Sequence, residues 1–426
     1  MNPPMPPNGL KRLAAIVSWV ALAVAGVVGP GVPSGCRPST PAPEPQLLPP
    51  SAHAAATIRV LLGPNAAQRV TVATTGGYRL RLDGRVVSES DGPLGPTTVS
   101  RNGQTWQFNE MTASGRQVSL EPSPGSFVRC NGATYRGSLR LVGRRERGIG
   151  AINHVNLESY LAGVLAKELY PSWHAEAYRA LAVAARTFAI YHIKTGGETR
   201  DYDVTDGQSS QVYGGLSAET LRAWDAVRAT AGQILVCERD GKDWLFMAQY
   251  SSCCGGTTNG AEVIRNAPHV VPLAGGVQCD DCAGSSRYRW PAVRVENSDI
   301  FAALTRTYRA ARTLDGVERI EVASQTPYGR AVWVDVFAPN GLSVRIRAED
   351  LRLALLRSGT PSAAGLYSMN CKIRNLPQAV EFYDGRGFGH GVGLCQWGAA
   401  AKANKGFSAG QILRCYYPGA KLIRVY

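Results

Sequence analysis

The chain has 426 residues, with 46 Lys and Arg against 32 Asp and Glu and a formal net charge of +14. That balance suits anionic partners, and the length allows one large domain or two closely packed ones with ample core. Nucleic acid, the other usual partner of a basic chain, is disfavoured by the export signal at the N-terminus, and an unrelated zinc hydrolase by the lack of an H-E-x-x-H or comparable His pair.

Residues 1–35 carry Lys11 and Arg12 ahead of a mostly apolar stretch from Leu13 to Val28, ending in small residues. This reads as a signal peptide or lipoprotein signal more readily than as a permanent membrane span. Pro33-Ser34-Gly35-Cys36 resembles a bacterial lipobox, with Pro33 where Leu is usual. A lipid-anchored Cys36, simple cleavage and a retained anchor are the three alternatives. Residues 36–56 are dominated by Pro, Ala and Ser, a composition that cannot bury enough apolar surface to fold and acts as a stiff spacer.

Residues 57–150 hold short β-branched runs (IRVLL, RVTVAT, YRLRL, SLRLVG) separated by Gly, Asp and Asn, the pattern of antiparallel hairpins. Two helices follow. The first opens at the N-cap Asn156 and stops near Pro171, and its apolar stripe of Leu157, Leu161, Val164 and Leu165 puts Glu168 where a buried leucine is expected. An unpaired carboxylate on a buried face holds its proton near neutral pH, as a general acid must. The bland alternative is a Glu168 turned to solvent or paired with Arg186. The second helix, from Trp173 to Lys194, is rich in alanine and admits close neighbours, with Arg186 and Thr187 interrupting its small apolar run.

Asp201 to Gly215, DYDVTDGQSSQVYGG, reads as a loop in which Asp203, Asp206, Gln211 and Tyr213 either position a sugar or satisfy the loop backbone. A helix from Ser217 to Thr230 comes next, then strands at QILVC and WLFMAQY. Cys253-Cys254 and the C-x-x-C of Cys279 and Cys282 have metal-ligand spacing, with disulfides as the competing reading in an exported chain. An amphipathic helix from Ser298 to Ala311 and a strand, Asn-Gly turn, strand and helix through VRIRAEDLR read as scaffold. In DGRGFGHGVGLCQWGAAAKAN, alternate glycines leave the backbone free to approach a ligand, with His390 among them either functional or a satisfied structural histidine. A helix from Cys395 to Asn404 and a turn capped by Ser408 close the chain.

ESYLAGVLAKELYPSWHAEAYRALAVAARTFA and GRGFGHGVGLCQWGA resemble the two signatures of the sporulation stage II protein D / LytB family of peptidoglycan-acting proteins. Departures are Leu169-Tyr170 in the Glu168-x-x-Pro171 segment and Phe388 in place of Trp. The resemblance spans about Ile58 to Tyr426 and implies a fold class of α+β, with antiparallel β-rich modules around a central helical pair. The corresponding domain is 57–426, its 57–150 part β-rich and its 151–426 part catalytic-like.

The resemblance implies Glu168 as catalytic acid of a lytic transglycosylase acting on denuded glycan strands, with Arg186, Gln211, Tyr213, His390 and Gln396 binding substrate or stabilising charge. It implies a structural zinc on Cys254, Cys279 and Cys282, with Cys253 as a weaker fourth ligand, and leaves Cys130, Cys237, Cys371, Cys395 and Cys415 without a role. The alternative from the LytB branch is a non-catalytic enhancer that binds wall and a cell-wall amidase. Either way the protein lies in the extracytoplasmic envelope and touches membrane only through its N-terminal anchor.

Overall fold

A computed structural model describes residues 56–144, 148–196, 200–265, 267 and 269–426, with the short strand Gln46–Leu47. The signal segment and Cys36 lie outside the described residues. The fold is α+β, and the hairpin-forming runs build two sheets that share one core. In the seven-stranded sheet Thr57–Ala67, Gly148–Asn156, Ser138–Arg144, Gln117–Pro122, Tyr78–Leu82 and Arg85–Ser90 lie side by side and antiparallel, and Val204–Thr205 adds to the Thr57–Ala67 edge in parallel. The six-stranded sheet centres on Arg69–Thr74 and Thr97–Asn102. Val70, Val99 and Trp106 from this sheet pack into the same cluster as Leu139, Ile149 and Val155 from the other.

Gly148–Asn156 feeds directly into α1 (Leu157–Glu168). The Asn156 side chain accepts from the amides of Glu158 at 2.9 Å and Ser159 at 3.3 Å, satisfying two of the helix's orphan donors. Leu157, Leu161, Val164 and Leu165 are fully buried, so the stripe that points toward Glu168 is a core stripe. The chain becomes extended at Leu169, ahead of Pro171, and ends the helix there.

α2 (Ala175–Gly196) starts two residues later than the sequence pattern predicts. Trp173 is in the preceding turn, its amide bonded to the Tyr170 carbonyl, and His174 Nδ1 accepts from the Glu176 amide at 3.2 Å, capping the first turn of the helix. The alanine-rich face is buried from Ala177 to Ala189, consistent with the close approach of α1, α3 (Leu221–Ala229), α6 (Gln396–Asn404) and α7 (Ala409–Tyr416). α3 is capped by Thr220 rather than Ser217. Glu219 breaks the predicted run because it adopts an extended backbone and gives its carboxylate to Arg136 and the Trp224 indole.

A second core, from Trp290 to Phe382, joins α4 (Asn297–Thr307) and α5 (Ala348–Arg357) to two three-stranded sheets. The predicted amphipathic helix shortens to α4 because Tyr308 turns extended, and Ala310–Thr313 continues as a separate 3-10 turn. The expected hairpin forms between Ala331–Phe337 and Ser343–Arg347, with Gly341 at φ 78° in its turn. At the C-terminus, Ala420–Arg424 pairs with Gln233–Arg239. Ser408 caps α7 in a full capping box with Gln411. Among the described residues no helix is long and apolar enough to cross a membrane.

Candidate functional site

Glu168 is the last residue of α1 and half-buried as a whole residue, with protein surrounding its carboxyl. Its Oε1 accepts from the Val212 amide at 3.0 Å and its Oε2 from the Gln396 side-chain amide at 3.0 Å. Burial raises its pKa above the ordinary glutamate value, and the two donors pull part of the way back. No charged side chain is among the groups that shift it. Such a carboxyl can deliver a proton and then be held, once ionised, by two fixed donors.

The loop that carries Val212 is itself anchored. Gln211 is buried, accepting from the Tyr160 hydroxyl at 3.1 Å and donating to the Tyr250 hydroxyl at 2.9 Å. Tyr213 points the other way, into the core, where its hydroxyl donates to Asn153 at 3.1 Å and its ring packs 5.0 Å from that of Tyr160. Gly163 is required here, since a Cβ on it would stand 2.7 Å from the Tyr213 ring. Asp203 holds the backbone amide and guanidinium of Arg59, and Asp206 accepts from the Gly63 amide at 2.9 Å. These carboxylates tie the loop to the first sheet.

Of the residues the sequence groups with Glu168, the structure brings Gln396 into contact with it and places Gln211 beside Val212. Arg186 is elsewhere: fully buried, it forks onto Glu158 at 2.7 and 2.8 Å and donates to the Gln233 carbonyl at 3.2 Å. Glu158 sits at the opposite end of α1, ten residues or roughly 15 Å from Glu168 along the helix. His390 accepts at Nδ1 from the Val392 amide at 3.1 Å and faces Glu349, Arg330 and Arg352. Burial depresses its pKa to about 4.

The glycines around His390 serve the chain's own packing. Gly387 and Gly393 have φ of 75° and 70°, and a Cβ on them would stand 2.6 Å from the Cys253 carbonyl and 2.0 Å from the Gln249 carbonyl. The close approach they permit is to the segment Gln249–Cys254, where Tyr250–Ser251 pairs in parallel with Leu394–Cys395.

That pairing assembles four buried thiols. Sγ atoms of Cys254, Cys279, Cys282 and Cys395 all lie within 4.8 Å of one another, with Cys254 and Cys282 3.6 Å apart. In a tetrahedral thiolate site with metal–sulfur bonds of ~2.3 Å the sulfurs are ~3.8 Å apart, so the group fits a metal with little movement. Backbone amides of Cys254 and Gly398 also donate to Cys395 Sγ at 3.3 and 3.4 Å, as suits a thiolate. The fourth place expected for Cys253 is thus taken by Cys395. Adjacent residues on an extended segment point to opposite sides, and the Cys253 thiol turns toward the Cys282 carbonyl instead. Among the described cysteines none is in a disulfide. Cys395 is invisible to spacing analysis because 113 residues separate it from Cys282, and only the glycine loop brings it back.

Three aromatic residues to which the sequence reading gave no site role pack on one another: Tyr170, Trp173 and Trp397, each half-buried. Their position two and five residues after Glu168, and directly after Gln396, was the available signal.

Comparison with known proteins agrees with this arrangement. The family model described as "Stage II sporulation protein" matches residues 145–237, the stretch that contains α1, α2 and Glu168. An uncharacterized protein of Brachyspira hyodysenteriae is 30% identical over 319 residues, covering 74% of this chain and 79% of its own. Stage II sporulation protein D of Bacillus subtilis is 27% identical over 288 residues, covering 64% of this chain and 76% of its own. An amidase enhancer of Bacillus subtilis is 27% identical over 305 residues, covering 62% of this chain but 40% of its own. With both signature segments meeting at one carboxylate, the chain belongs to the SpoIID/LytB family.

Proposed function

We propose that this protein remodels peptidoglycan as a lytic transglycosylase, cleaving denuded glycan strands between N-acetylmuramic acid and N-acetylglucosamine with Glu168 as the acid and then the base. The observation that carries the reading is a single carboxyl surrounded by protein, raised in pKa by burial and fixed by Val212 and Gln396. Glu168 gives its proton to the glycosidic oxygen as the bond to the anomeric carbon breaks. The resulting carboxylate takes the proton of the sugar's own 6-hydroxyl as that oxygen bonds to the anomeric carbon, leaving a 1,6-anhydro end. No water nucleophile is consumed, so a second carboxylate is unnecessary.

The net charge of +14 supports a strand whose lactyl carboxylates are uncovered. Zinc is the metal proposed for the Cys254, Cys279, Cys282 and Cys395 group, in a structural role, since four thiolates close its coordination and leave no open position. The proposed location is the extracytoplasmic envelope, with domain 57–426 on the 36–56 spacer and held at Cys36 by lipid or by its signal segment.

The test is incubation with amidase-stripped glycan strands, read by mass spectrometry. Anhydro-ended products from the wild type that fall by about 10²–10⁴-fold in Glu168→Gln support the reading. The match to a protein named amidase enhancer favours a second one, in which the chain binds wall and stimulates an N-acetylmuramoyl-L-alanine amidase without cleaving glycan. Absence of anhydro products, with faster amidase action on mixing, selects it.

A further inference from the structure

Tyr170 and Trp173 lie in the turn that follows Glu168, and Trp397 follows Gln396, the residue whose side chain bonds Glu168. Ring centroids are 5.1 Å apart for Tyr170 and Trp173, 5.3 Å for Trp173 and Trp397, and 5.8 Å for Tyr170 and Trp397, with interplanar angles of 59°, 74° and 64°. Two chain segments more than 220 residues apart thus contribute to one aromatic group. Other large rings of this core, Tyr160, Tyr178, Tyr416 and Tyr417, are buried to 1% exposure or less. Tyr170, Trp173 and Trp397 are only half-buried and keep part of their surface toward solvent.

Half-buried indole and phenol rings packed on one another in tilted and edge-to-face contacts offer an apolar surface whose side chains have few rotatable bonds to order on binding. A pyranose ring has a complementary face of C–H groups, and an N-acetyl substituent adds a methyl. We infer that Tyr170, Trp173 and Trp397 form a stacking subsite for an N-acetylated amino-sugar ring next to Glu168. The inference rests on reading this site as glycan-binding, and it holds whether or not the bound strand is cut.

The test is titration of the full chain carrying Glu168→Gln with N-acetylglucosamine tetrasaccharide, followed by calorimetry. Saturable binding is expected, weakened about tenfold by Trp173→Leu and by Trp397→Leu, the size of an aromatic contact beyond area burial. Tyr170→Phe retains binding and Tyr170→Ala loses it, because the ring and not the hydroxyl is used. Trp244→Leu, an exposed tryptophan on the Lys242–Leu245 strand, leaves binding unchanged. Failure of the Glu168→Gln chain to bind, or Leu variants that bind like their parent at a temperature where all are folded, overturns the subsite. Loss of binding in the Leu variants from a protein that yields no anhydro products overturns the cleavage reading alone. Anhydro products with unchanged binding in the Leu variants overturn the subsite alone.

Discussion

The Gln396 side-chain amide donates to Glu168 Oε2 at 3.0 Å, joining the first residue of α6 to the last residue of α1 across 228 positions of sequence. This bond lowers the pKa of a carboxyl that burial raises. Removing it with Gln396→Leu lets the Glu168 pKa rise further. In the proposed cleavage the acid starts protonated, so the alkaline limb of the pH–rate profile is expected to move to higher pH. The lost positioning lowers kcat by roughly tenfold, the worth of one hydrogen bond to a group that becomes charged. A pH–rate profile on glycan strands checks both effects, and an unmoved limb refutes them.

Metal content separates the two candidate fourth ligands. Wild type and Cys253→Ser are expected to retain roughly one equivalent of zinc per chain, whereas Cys395→Ser loses most of it, since three thiolates close a site less tightly than four. Elemental analysis of purified proteins decides this. A lower thermal midpoint after chelation is expected for the wild type, because a metal bound only by the folded state stabilises it. Equal zinc in both variants sinks the assignment.

Arg186 is a structural cation. Arg186→Ala strands Glu158 and the carbonyls of Gln233 and Val227, and is expected to cost about 3–5 kcal/mol in denaturant unfolding. Glycan turnover per folded molecule stays the same. The double variant Glu158→Gln/Arg186→Met should recover much of the stability, whereas a selective loss of kcat in folded Arg186→Ala would return Arg186 to the site.

His390 is half-buried near Glu349, Arg330 and Arg352, and desolvation pushes its pKa down from 6.5 to about 4. The unfolded chain therefore binds its proton first. Stability from keeping this ring neutral is complete above pH 6.5 and is lost as pH falls toward 4, by about 3 kcal/mol in all. Replacing it by Gln removes that slope, measured as the unfolding free energy against pH. Glycan cleavage should show no limb near pH 6.5 from this residue.

Much of this architecture is readable from local pattern. Asn156, the leucine stripe and Pro171 locate α1 and put Glu168 at its end, because capping and periodicity act within a few residues. Ser408 and Gln411 announce α7 in the same way. What local pattern cannot carry is pairing at a distance. Arg186 looked available to Glu168 because the charge is right, yet Glu158 lies on the face that α2 meets. Cys395 looked unassigned because its three companions come from another segment. Helix starts moved by two or three residues where His174 caps α2 and where Thr220 takes the place expected of Ser217.

The 228-residue interval between Glu168 and Gln396 also orders events in time. A chain extended no further than residue 394 can already form α1, its capping Asn156 and the sheet that feeds it, since every strand of that sheet lies before residue 206. It cannot supply the Oε2 donor, the Cys395 sulfur held one peptide bond earlier, or the Trp397 ring one peptide bond later. Contacts of such high sequence separation form late, after the loop-closure cost has been met. The carboxylate of Glu168 therefore gains its Gln396 donor at the end of folding rather than during it, and an interrupted polypeptide carries Glu168 without that donor.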